Sequence, residues 1–280
     1  MVRGGQWEVK IEQWEVSFVS RLTIFIKDLI DRAKHLYNKQ KFHESLLIYK
    51  ELLKINPLCP KIQNNTGAVY SAAGQFDISC LYFLKALELD PLFTYAHNNL
   101  GNSLRKQNKI EKALEHYKKA IELTPSLWQI YYNLASALYE AGKQEEAIKY
   151  SLKGLTYSPD NYNIFTLLGL LYSEKIEFTT ALEWFKKAID INPGSFLPFI
   201  YTGKLFHKNK QYDPAMEYYK KSLRINKENA YIYKCLGDLY NDLGNFKQSV
   251  RHYQKAMELK IGKGTLRAET IKIFYMEATT

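Results

Sequence analysis

Residues 94–125 read TYAHNNLGNSLRKQNKIEKALEHYKKAIELTP, and the spacing within this stretch decides the fold class. Gly101 stands in its eighth place and Ala113 in its twentieth, both small. Asn108 falls between two helical stretches, where a left-handed residue ends the first, and Pro125 closes the second. That proline is one of five set 34 residues apart: Pro57, Pro91, Pro125, Pro159 and Pro193. A unit of this length is one helical hairpin, which cannot bury its apolar face alone and must stack on its neighbours.

Working outward, seven such units are expected, over 26–59, 60–93, 94–127, 128–161, 162–195, 196–229 and 230–263. Their eighth places carry Ala33, Gly67, Gly101, Ala135, Gly169, Gly203 and Gly237. Their twentieth places carry Ser45, Ser79, Ala113, Ala147, Ala181, Ala215 and Ser249. Small residues at both places predict a close crossing of two helix backbones. Around them Tyr131, Leu134 and Leu138, then Phe165, Leu168 and Tyr172, keep the i, i+3, i+7 spacing of a buried helical stripe. Each such side chain contributes about 1.5–3 kcal/mol when buried, so an isolated unit is not expected to fold. Gly74, Gly142 and Gly244 punctuate their units as Asn108 does. Pro60, Pro198 and Pro214 fall at or near helix starts, where a missing N–H is harmless. The expectation is an all-α chain with no strands.

Composition narrows the function. The apolar fraction of 46% belongs to a folded protein, not a disordered one. The net charge of +10 arises largely in phrases such as Tyr117-Lys118-Lys119-Ala120 and Phe185-Lys186-Lys187-Ala188, which place lysines on solvated helix faces. No basic run with interleaved aromatics stands out, so nucleic acid is not the expected partner. Cys59, Cys80 and Cys235 have no metal-ligand spacing and read as reduced structural thiols. The apolar run at residues 16–30 is interrupted by Arg21, Lys27 and Asp28 and is too short to span a membrane. A cytoplasmic, soluble chain without membrane insertion is expected. There is no phosphate-cradling loop, and the six histidines show no zinc-protease pairing. No cofactor, metal or catalytic residue is expected, and the chain is read as a non-enzyme.

At this point the units, with Leu100-Gly101, Ala113, Tyr117, Ala120 and Pro125 in signature places, resemble the tetratricopeptide repeat family. The resemblance covers residues 26–263. It implies helix pairs stacked into a right-handed superhelix, with the first helix of each pair lining a concave groove. Four departures are visible: Arg32 for an apolar residue, Ser151 for an aromatic, and Lys227 and Ile261 for the closing proline. A helical-repeat RNA reader is disfavoured, since its commonest form has a longer period.

Family geometry points the second, fifth, sixth, ninth, twelfth and thirteenth places into the groove. The sixth carries Asn65, Asn99 and Asn133, with Asn64, Asn98 and Asn102 nearby. Such a row resembles the asparagine ladder in the repeat region of O-linked N-acetylglucosamine transferase. An amide both donates and accepts, so the row can bond the backbone of a peptide whatever its sequence, or can instead satisfy neighbouring groups. Tyr95, Tyr132, Tyr139, Leu167 and Tyr201 are candidate anchors, and Lys204 a candidate cation beyond them. The chaperone-tail carboxylate clamp is set aside: Asn102 and Asn133 match two of its places, but Asn98, Asn163 and Leu167 stand where cations are needed.

Residues 1–25 precede the units. Trp7, Ile11, Trp14 and Phe18 suit one face of a capping helix or a docking segment, whereas alternation of Trp7, Val9 and Ile11 also fits a strand. Residues 264–280, with Leu266, Ile271, Phe274 and Tyr275, are expected to form a capping helix whose surplus apolar surface suits self-association. The function expected is a non-catalytic adaptor or scaffold binding an extended peptide or a partner helix in the groove. The alternatives are an oligomerising or docking subunit acting through apolar ends, and the substrate-selecting arm of a larger glycosyltransferase-like enzyme.

Overall fold

The computed structural model describes the backbone of residues 5–261 and the side chains of residues 22–260. Among the described residues there are helices and no strands. In order they are α1 (Gly5–Asn38), α2 (Phe42–Ile55), α3 (Pro60–Ala72), α4 (Phe76–Leu89), α5 (Thr94–Lys106), α6 (Ile110–Leu123) and α7 (Trp128–Glu140), followed by α8 (Gln144–Leu155), α9 (Tyr162–Glu174), α10 (Phe178–Ile191), α11 (Phe196–Lys208), α12 (Tyr212–Ile225), α13 (Ala230–Asp242) and α14 (Phe246–Ile261). The chain divides into two compact units between Gly142 and Lys143. This division falls inside the repeat whose second helix carries Ser151 in place of an aromatic.

In the first and last pairs a side-chain bond joins the two small places. The Ser45 hydroxyl donates to the Ala33 carbonyl at 2.9 Å, and Ser249 to the Gly237 carbonyl at 2.9 Å, so the eighth and twentieth places do meet. The tightest neighbour of the eighth place is, however, a ring. A Cβ built on Gly67 would lie 2.7 Å from Phe83, on Gly101 2.7 Å from Tyr117, on Gly169 2.5 Å from Phe185, on Gly203 2.6 Å from Tyr219, and on Gly237 2.7 Å from Tyr253. Glycine at these places therefore makes a seat for an aromatic from the second helix, a requirement that the small residues alone do not reveal.

The turn inside each pair needs a left-handed residue. Gly74, Gly142 and Gly244 supply it without strain, and Asn108 does so at φ 61°. Gln40, Ile176 and Lys210 adopt the same conformation with no glycine to ease it. At each turn the chain reverses through paired bonds, such as Gly74 N–H to the Ser71 carbonyl at 3.0 Å and Gln75 N–H to the Tyr70 carbonyl at 2.9 Å. Ile176 is β-branched, 79% exposed and held at φ 65°, a conformation that costs a side chain with a Cβ about 1–2 kcal/mol. Ile176→Gly is expected to raise the thermal midpoint, reflecting about 1 kcal/mol of added stability. An unchanged or lower midpoint in a calorimetric scan would count against strain there.

α1 is one uninterrupted helix, so no break separates residues 5–25 from the helix that continues to Asn38. The expected capping contacts of Trp7, Ile11, Trp14 and Phe18 lie outside the described side chains. The expected helix over 264–280 lies outside the described residues altogether. Most lysines on second helices do face solvent: Lys118, Lys119, Lys186 and Lys187 are all exposed. Several exposed lysines pair with a glutamate one turn away, as Lys119 does with Glu122 at 3.2 Å.

Candidate functional site

In the first unit, residues up to Gly142, the asparagines of three consecutive first helices form one hydrogen-bonded chain. Asn133 Nδ2 on α7 donates to Asn98 Oδ1 on α5 at 2.9 Å, and Asn99 Nδ2 on α5 donates to Asn64 Oδ1 on α3 at 3.0 Å. Within helices the links are longer: Asn98 Nδ2 to Asn99 Oδ1 at 3.5 Å and Asn64 Nδ2 to Asn65 Oδ1 at 3.4 Å. The bonds between helices are therefore the strong ones, and they tie each fifth-place amide to the sixth-place amide of the following unit. All donors run in one sense, and reversing any single amide would set N–H against N–H or oxygen against oxygen. Asn65, Asn98, Asn99 and Asn133 are half-buried, whereas Asn64 is buried. An amide has two donors and two acceptor sites, so Asn99, with one of each engaged, keeps a second N–H and a second lone pair.

Beside this chain lies a depression of about 390 Å³, lined by Asn99, Asn102, Arg105, Lys106 and Asn133 together with Tyr37, Ala68, Ser71, Ala72, Phe76 and Phe83. The Tyr117 hydroxyl donates to Asn102 Oδ1 at 2.7 Å, so Asn102 has its oxygen turned to the structure and its NH₂ group left as a donor. Of the other candidate anchors here, Tyr95 is 56% exposed beside Phe93, while Tyr132 and Tyr139 are half-buried.

The second unit holds the rest of the predicted set. Leu167 is only 7% exposed, so little of it is open to a surface contact; helical spacing alone does not separate a groove position from a core one when both are leucine. Tyr201 is half-buried and stacks on Phe185 with ring centres 6.2 Å apart. Lys204 is exposed, and its ammonium donates to the Tyr231 hydroxyl at 3.1 Å. A larger depression, about 510 Å³, is lined by Phe165, Trp184, Lys187 and Asp190 among others; Trp184, Lys187 and Asp190 share one face of α10, but their meeting with Phe165 of α9 is not evident from sequence spacing.

Models of tetratricopeptide repeats match residues 82–115, then 129–161, 162–195, 203–229 and 236–260, and a further repeat model matches residues 101–142. The chain belongs to the tetratricopeptide repeat family. Among solved structures it is similar to a tetratricopeptide repeat protein from Parabacteroides merdae, at 15% identity and a TM-score of 0.75, covering 91% of this chain and 99% of that one. It is also similar to the Cut9–Hcn1 hetero-tetramer of the APC/C, at 18% identity and a TM-score of 0.71. That match covers 81% of this chain but only 45% of the other, so the chain spans less than half of that structure's length. A third, YrrB, described as a repeat protein with an unusual peptide-binding site, has a TM-score of 0.50 at 18% identity, covering 64% of this chain and 92% of that one. Identities this low establish the fold and nothing finer. No curated protein matches the sequence. The likeness of the asparagine row to the glycosyltransferase ladder rests on the asparagines alone.

The tetratricopeptide repeat is in general an interaction scaffold. Among the described residues no group of three His, Cys, Asp or Glu is placed to hold a metal, and no helix is long and apolar enough to cross a membrane. Burial pushes the Cys235 thiol up to about 11, so it is protonated and inert at neutral pH. The histidine pair of the third repeat is more sensitive. His97 Nδ1 and His116 Nδ1 lie 3.0 Å apart, and His97 Nε2 is 3.1 Å from the Pro91 carbonyl, which can only accept. His97 therefore carries its proton on Nε2 and accepts from His116. Burial first, then electrostatic repulsion between the two rings when both would be charged, hold His116 below its ordinary 6.5, against a smaller opposing pull from Glu115. The unfolded chain then binds this proton more readily than the folded one, so stability is full above that ordinary value and declines as pH falls below it. His116→Gln is expected to bring the thermal midpoints at about pH 5 and about pH 8 closer together than in the wild type. An unaltered pH profile would sink this assignment.

Proposed function

We propose that the chain is a non-catalytic scaffold that binds an extended peptide across α3, α5 and α7. The observation that carries this reading is the one-directional chain of amides from Asn133 to Asn65. Its members already satisfy one another, so they are held in place before any ligand arrives, and little ordering entropy remains to be lost on binding. The unused N–H and lone pair of Asn99 and Asn133 suit a peptide main chain, which offers the complementary pair at every residue. The peptide-binding site in the description of YrrB is in keeping with this use of the fold. Tyr95, Tyr132 and Tyr139 would add side-chain contacts along the same three helices' repeats.

One observation favours a second reading. Ile24 and Phe25 on α1 are 65% and 53% exposed, an apolar surface apt for docking. Affinity capture separates the two readings. The triple change Asn65→Ala, Asn99→Ala, Asn133→Ala is expected to lose partners that the wild type retains, with helicity unchanged. Truncation of residues 1–25 is expected to retain them. The opposite pattern would transfer the function to the end of the chain.

A further inference from the structure

We propose that the depression in the first unit is a carboxylate subsite, in which Arg105 receives an acidic side chain of the bound extended peptide. This deepens the peptide-binding reading and rests on it for the direction of the chain.

The lining carries two cations, Arg105 and Lys106, and three amides, Asn99, Asn102 and Asn133, but no carboxylate. Arg105 is the unusual member. Its side chain is only 16% exposed, and its Nη1 is shielded from solvent without a hydrogen-bond partner. The carboxylate that does approach, Glu140, comes only to 3.9 Å from Nε, beyond hydrogen-bond reach, and is itself 48% exposed to water. A guanidinium presents its N–H groups as a planar fork that a carboxylate engages with two parallel bonds. Here that fork is largely withdrawn from water, and nothing among the described residues completes it. An incoming carboxylate meets the part of the fork that remains exposed, and a turn of the side chain towards the depression brings Nη1 the acceptor it lacks.

The neighbours favour the same sign of charge. Tyr117 occupies the Asn102 oxygen, so what Asn102 offers towards the depression is its NH₂ donor. Lys106 is exposed at the rim, where it raises the local concentration of anions. Phe76, Phe83 and Tyr37 form apolar walls, which limit screening by water and strengthen a charge-assisted bond. The arrangement differs from a clamp made of paired lysines, since one half-buried arginine with flanking amides matches a single carboxylate.

The test uses four probes: capped alanine pentapeptides with a central Glu or a central Gln, an uncharged pentapeptide ending in a free carboxylate, and inorganic phosphate. Binding to the full chain is followed by calorimetry and by the side-chain Nε–H resonance of Arg105. The Glu peptide is expected to bind about tenfold or more tighter than the Gln peptide and to shift that resonance. Arg105→Gln is expected to abolish the difference while leaving the Gln peptide unaffected. Glu140→Gln, which removes the competing carboxylate and keeps the guanidinium, is expected to widen the difference. Equal affinity for the Glu and Gln peptides, or no response to either, overturns the proposal. So does tighter binding of the free-carboxylate peptide or of phosphate, which would make the site one for chain ends or for free anions. If the Glu preference holds but the triple asparagine variant binds every peptide as the wild type does, the amide row fails and the arginine subsite stands.

Discussion

Phe185→Ala is expected to lower the unfolding free energy of its part of the array by about 3–5 kcal/mol, as for other fully buried aromatics. The ring has no solvent exposure, stacks near Tyr201, and rests over Gly169 so closely that an added Cβ there would approach it to 2.5 Å. Gly169→Ala tests the same seat from the other side. Alanine gains about 1 kcal/mol in helix propensity, but forcing a methyl group under the ring costs about 1–3 kcal/mol, so the net change is destabilising. Combining Gly169→Ala with Phe185→Leu frees space for the methyl group and should cost less than the two single changes added together. Urea unfolding followed by circular dichroism measures Phe185→Ala, the two single changes of the cycle and their combination. If Gly169→Ala is stabilising, the ring is not seated on the glycine and the account of the repeat signature is wrong.

The second large effect concerns binding. Replacing Asn65, Asn99 and Asn133 with Ala removes three amides that the peptide-binding reading assigns to main-chain contact. At about 1 kcal/mol for each neutral hydrogen bond, the loss approaches 3 kcal/mol, or about a hundredfold in affinity. Stability should change much less, because all three amides are half-buried and water can take over the bonds to Asn64 and Asn98. Calorimetric titration of a captured peptide against both proteins gives the ratio. An affinity within about twofold of the wild type would show that the amides serve only to join helices.

How much of this was legible in the sequence depends on how local each feature is. Helical hairpins were legible because proline, glycine and apolar spacing act through a few neighbouring residues. Gly74, Gly142, Gly244 and Asn108 announced their left-handed turns by residue type. Ile176, Lys210 and Gln40 did not, since there the repeat imposes a conformation that the side chain resists. The glycine seats were only half legible: smallness at Gly101 or Gly203 signals close approach, but the partner ring comes from the sixteenth residue onward, across a turn. In the site, the sixth-place asparagines stood out as a row. Their bonding to Asn64 and Asn98 did not, because it joins residues 35 apart on separate helices. Arg105 drew no notice for a similar reason. One arginine in a polar stretch is ordinary until packing withdraws its Nη1 from water. Leu167 is the converse case, an apolar residue at a place that the resemblance assigns to the groove but that leaves only 7% of it exposed.

The most direct measurement is the side-chain amide spectrum of the full chain, recorded with and without a captured peptide. The resonances of Asn99 and Asn133 are expected to shift on saturation, with contacts from peptide main-chain protons to residues of α3, α5 and α7. Unshifted asparagine amides, with the peptide's contacts confined to the exposed apolar residues of α1, would contradict it.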